Sequence, residues 1–72
     1  MDNDTATKFQ ALLTLERDLK IALVVAGFGE TPAIRQRAAD NVDCLNAGIS
    51  TLIEGFTPNE MVMYGNYRLE AL

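Results

Sequence analysis

Apolar positions recur at helical spacing along nearly the whole chain. Leu12, Leu15, Leu19, Ala22, Leu23 and Ala26 fall on one arc about 100° wide at 100° per residue, which predicts a helix over about residues 5–26. Asp4 or Thr5 supplies its N-cap and Gly27 its stop. Phe9 and Leu13 lie at the edge of this stripe. From Ile21 to Ala26 the segment is apolar all the way round, so this end calls for cover on every side, more than one neighbouring helix provides.

A second helix is predicted over about residues 32–54. Thr31 is its N-cap, and Pro32 takes the first helical position, where a missing N–H costs nothing. Ile34, Ala38, Val42, Leu45, Ile49, Leu52 and Ile53 form its apolar stripe, with Gln36, Asp40, Asp43, Ser50 and Glu54 opposite. Gly48 sits beside the stripe, where a mid-helix glycine costs roughly 1 kcal/mol relative to alanine and invites the close approach of another backbone. With a connection of about five residues, the two helices must form an antiparallel hairpin. Phe28 is expected to plug its end.

Thr57-Pro58-Asn59-Glu60 opens a third segment, expected to be helical over about residues 58–70, because Thr57 and Glu60 have capping-box spacing. Its apolar residues, Met61, Val62, Met63, Tyr64, Tyr67, Leu69 and Leu72, are scattered around the wheel, with Gly65 among them. Such a helix is expected to be sandwiched, either over the apolar end of the first helix or against a second subunit. The fold class is therefore all-α: one domain over residues 1–72, a helical hairpin with a short third helix.

Composition adds a reason for association. At 72 residues a single core is marginal, yet hydrophobic residues make up 49% of the chain. With no His and one Cys, neither a disulfide nor a Cys/His metal site is available to supplement the core. A homodimer or higher oligomer follows, with Ile21, Val24, Val25, Phe28, Gly48, Val62 and Leu69 at its interface. The net charge of −4 disfavours a phosphate-backbone ligand. The acidic N-terminus is unlike a signal peptide, and the longest apolar run, Ile21 to Phe28, is far short of the roughly 20 residues that span a bilayer. Location is read as cytoplasmic, with no membrane, metal or cofactor.

Catalytic chemistry lacks its usual parts. Without His the common general base is missing and no His-dependent triad can be assembled. Cys44, on the flank of the second stripe, reads as a half-buried structural thiol. The Asp40 and Asp43 carboxylates lie on the solvated face. Glu16 and Lys20 have the spacing of an i, i+4 ion pair. Arg35 and Arg37 near the start of the second helix oppose its dipole, which makes them candidates for holding an anion.

The densest cluster of interface-forming side chains is Met61, Met63, Tyr64, Tyr67 and Arg68, since Met adapts to irregular surfaces and Tyr and Arg dominate interface energies. The expected function is a non-catalytic protein-interaction module, a small regulator or inhibitor of a partner protein, compatible with a phage or mobile-element source. Two other readings remain: an oligomeric binder of a small anionic or nucleotide-like ligand, using Arg35, Arg37, Tyr64, Tyr67 or Arg68, and a structural subunit of a larger assembly.

Overall fold

The computed structural model describes residues 2–71, which form three α-helices and no strand. α1 spans Asn3–Phe28, α2 Pro32–Glu54 and α3 Pro58–Ala71. α1 begins two residues earlier than the apolar pattern predicts. Asp2, rather than Asp4 or Thr5, is the cap, its Oδ1 accepting from the Thr5 N–H at 2.7 Å. Four capping side chains stand in succession at residues 2–5, and local propensity does not choose among them.

α1 also runs through Gly27 and stops at Gly29. The Gly29 N–H donates to the Val25 carbonyl at 2.8 Å, and a Cβ on Gly29 would stand 2.7 Å from that oxygen and 3.0 Å from Ile34 Cγ2. The Val25 carbonyl at the end of α1, with the side chains of Ile34 and Arg35 close behind it, is what requires a glycine at Gly29, while Gly27 has open space where a Cβ would lie. Thr31 caps α2 as expected, its Oγ1 accepting from the Ile34 N–H at 3.1 Å. The box at α3 is closed in both directions: Thr57 Oγ1 accepts from the Glu60 N–H at 3.1 Å, and Glu60 Oε1 accepts from the Thr57 N–H at 3.0 Å.

α1 and α2 pack extensively along their length, Leu12 and Ala22 being buried on one side and Ala38 on the other. The ends of the predicted stripes escape burial. Leu23 and Ile34 are exposed where no third element covers the pair, and Ile53 is exposed although its neighbour Leu52 packs against the core cluster.

α3 folds back on its own chain, beside the N-terminal half of α1 and away from the apolar Ile21–Ala26 end. Lys8 Nζ meets Glu60 Oε2 at 3.3 Å, and Arg68 Nε meets Glu16 Oε2 at 2.9 Å. Both pairs join residues 52 apart in sequence, so α3 runs parallel to α1. Leu12 and Tyr64 have the same separation and share the buried cluster. The core centre is therefore not the α1–α2 seam but the three-helix end, where fully buried Phe9 meets Tyr64, Tyr67 and Phe56 at ring-centroid distances of 5.4, 5.5 and 5.7 Å. Phe9 is thus central and not peripheral. The single-stripe reading of α1 assumed one neighbour, whereas this half of the helix has two.

Lengths explain the shape. At 1.5 Å per residue α1 is roughly 39 Å long and α3 only roughly 21 Å, so the described part of α3 extends no further along α1 than about Lys20. Among the described residues the far end is two helices thick. The radius of gyration is 14.2 Å, against roughly 11 Å for a compact chain of this length. The accessible surface is 5190 Å², against roughly 4,400 Å² for a compact monomer of this mass.

Candidate interaction surface

Two apolar surfaces are left exposed, and the sequence-derived candidates divide between them. The first is the outer face of α3. Glu60, Tyr64, Tyr67, Arg68 and Ala71 recur at helical spacing, and the first four make contact with α1 or the aromatic core. Tyr64 is buried and Tyr67 half-buried, so neither tyrosine is presented to a partner as the cluster in the sequence suggests. Val62 and Leu69, seven residues apart, project from the side opposite Tyr64 at 68% and 72% exposure. Met61 and Met63 flank them, both exposed. The 4–3–4 spacing of Glu60, Tyr64, Tyr67 and Ala71 is the sequence signal for the inward stripe. It is masked by a charged residue at its start and by apolar residues on the outer face.

Arg68 is committed as well. Its pairing with Glu16 replaces the Glu16–Lys20 pair expected within α1, because α3 brings a guanidinium to Glu16 from outside its own helix. The Tyr64 hydroxyl is buried beside them with no hydrogen-bond partner among the described residues. Burial, reinforced by the Glu16 charge, pushes its pKa up from 10.0 to about 12. The group is therefore neutral at ordinary pH.

The second surface is the open end of the hairpin. Phe28 does not plug it: the side chain is 87% exposed, because α1 continues as a helix through Phe28 and directs the ring outward. Ile21 and Val24, at 64% and 60% exposure, continue the same outer face back along α1. Val25 is half-buried and lines a groove of about 550 Å³ with Ile34, Ala38 and Cys44, rimmed by Arg37 and Asp40. Val25 and Glu16 are nine residues apart, or 180° around the helix, so this groove opens on the face of the hairpin opposite α3. Cys44 is exposed rather than half-buried. The α1–α2 contact leaves its flank of α2 uncovered.

The two arginines of α2 have separate settings. Arg35 Nη1 donates to the Gly29 carbonyl at 2.6 Å, so it caps the C-terminal end of α1, where a cation is favourable. That contact explains an arginine in the first turn of α2 without an anion. Arg37 stands at the groove and makes no ion pair among the described residues. Within one chain both lie at the opposite end of the molecule from Tyr64, Tyr67 and Arg68, and the five do not converge on one pocket. Gly48 meets the Leu15 side chain, to which a Cβ would stand at 3.5 Å, and not another backbone.

Among the described residues no three His, Cys, Asp or Glu side chains are grouped as metal ligands, and no helix is long and apolar enough to cross a membrane. No protein family, curated protein or solved structure matches this chain.

Proposed function

We propose that this protein is a self-associating, non-catalytic interaction module, a small regulator or inhibitor that docks on another protein through the outer face of α3. The observation that carries the reading is the division of α3 into two faces. Tyr64, Tyr67 and the Arg68–Glu16 and Glu60–Lys8 pairs hold its inner side, while Val62 and Leu69 stand exposed a heptad apart between two exposed methionines.

A helix held in this way needs little further ordering when it binds, which lowers the entropic cost of association. Apolar residues at i and i+7 flanked by adaptable thioethers match an amphipathic helix seated in a partner's groove. The contact residues are then Met61, Val62, Met63 and Leu69, with the two tyrosines holding the helix in place.

The test is affinity capture from cells of the source organism with the wild-type chain and a Val62→Asp/Leu69→Asp variant, helicity being checked by circular dichroism. Loss of specific partners from the folded variant is expected. Recovery of the same proteins by both chains overturns the reading.

A further inference from the structure

We propose that the open end of the hairpin is the self-association surface, where two copies meet about a two-fold axis and Phe28 of each sits in the Val25–Ile34–Ala38 groove of the other. This names the face for the self-association proposed above and rests on that part of the reading. It is independent of what α3 binds.

Three observations lead to a second copy as the occupant. First, knob and hole lie side by side on one surface. Phe28 is about one turn along α1 from Val25 and 60° around it, so the exposed ring lies outside the groove but next along the helix from the residue that lines it. A two-fold axis between them fills both grooves at once, which is the self-complementarity that a closed isologous contact requires.

Second, the rim carries one charge of each sign. Arg37 and Asp40 stand three residues apart on α2, and Arg37 is without an ion-pair partner among the described residues. An antiparallel crossing of two α2 helices directs each Arg37 toward the other copy's Asp40. Third, the area is of the right size. The chain exposes roughly 800 Å² more than a compact monomer of its mass, and a standard interface buries about 800 Å² on each partner. The exposed apolar residues Ile21, Val24 and Phe28 supply part of that surplus at this end, the outer face of α3 being the other exposed apolar surface.

The experiment is sedimentation equilibrium and light scattering of the full chain over roughly 1–200 μM. Wild type is expected at twice the 7.9 kDa chain mass. Phe28→Asp is expected to raise the dissociation constant at least about 100-fold with helicity unchanged, since the ring makes no core contact. Val62→Asp/Leu69→Asp is expected to remain dimeric, which separates failure of this surface from failure of the α3 reading. Arg37→Asp weakens the dimer and Arg37→Asp/Asp40→Arg restores it, an arm that holds even if the Phe28 variant misfolds. Alkylation of Cys44 in the groove is expected to slow at least about tenfold on dimerisation and to stay fast in Phe28→Asp. A wild-type monomer throughout, a Phe28→Asp chain that dimerises like wild type, or a mass that climbs without limit through head-to-tail contacts overturns the proposal.

Discussion

Glu16 of α1 and Arg68 of α3 form an ion pair at 2.9 Å, eight residues along both helices from the Lys8–Glu60 pair, and the two pairs have opposite polarity. Sliding α3 by two turns in one direction sets Glu60 against Glu16. Sliding it the other way sets Arg68 against Lys8. Both displacements bring like charges together, so the pairs select the parallel register that the aromatic cluster also favours.

Arg68→Ala leaves Glu16 Oε2, a buried oxygen, without its counter-ion. A loss of about 1 kcal/mol is expected by urea denaturation, kept small because the Arg68 side chain is itself largely exposed. Arg68→Glu should cost more, and Glu16→Arg/Arg68→Glu should recover part of the loss. Strictly additive effects of the two charge reversals would assign register control to the aromatic rings alone.

The box at the start of α3 makes stability depend on pH. Glu60 is held below its ordinary 4.5, first by the Thr57 backbone N–H and then by Lys8. Because the folded-state value is lowered, its contribution is complete above about pH 4.5 and is lost as pH falls through the lowered value. Asp2, held below 3.8 by the Thr5 N–H, adds a slope of the same sign further into acid. Glu60→Gln should flatten the loss of stability that sets in as pH falls below about 4.5, measured by denaturation at each pH. Thr57→Ala, which removes the other half of the box, should cost about 1 kcal/mol at neutral pH.

Tyr64 makes the opposite prediction at high pH. With its hydroxyl held neutral to about 12, its contribution is complete below pH 10.0 and is lost as pH rises toward 12. Absorbance titration should show a tyrosinate phase approaching pH 12 that is absent from Tyr64→Phe. That variant should match or exceed wild type in stability at pH 7, because the hydroxyl it removes is buried and unpaired. A marked loss at neutral pH would reveal a hydrogen bond to the hydroxyl.

Two glycines should respond in opposite directions. Gly29→Ala forces a methyl to within 2.7 Å of the Val25 carbonyl and is expected to cost about 1–3 kcal/mol. Gly48→Ala meets only ordinary contact with Leu15 at 3.5 Å and should stabilise by about 0.5–1 kcal/mol through helix propensity. Thermal melts of the two variants check both signs.

Much of the architecture is legible along the chain because helix signals are local. Thr31-Pro32 and Thr57-Pro58-Asn59-Glu60 mark the starts of α2 and α3 by satisfying amides within three residues. The α2 stripe reports burial in its middle, where Ala38 is buried and Val42, Leu45, Ile49 and Leu52 are half-buried, and not at its ends, where Ile34 and Ile53 are exposed. The reading is poorer for α1. Its N-terminal half serves two neighbours, which moves Phe9 from the edge to the centre, and Gly27 looks like a stop although the turn is closed at Gly29. The interaction surface is least legible. Residue type points to Tyr64, Tyr67 and Arg68 as the partner-facing cluster, whereas the side on which α3 lands turns Tyr64 inward and leaves Val62 and Leu69 exposed.

Local hydrogen bonding and hydrophobic periodicity thus determine three helices, an antiparallel hairpin and an excess of apolar surface. Tertiary structure alone decides that α3 lies parallel to the first half of α1. That choice depends on rings and charges brought together across 52 residues of sequence, a contact that no local window contains. From it follow the burial of Tyr64, the exposure of Val62 and Leu69, and the bare hairpin end beyond the reach of a helix only 14 residues long.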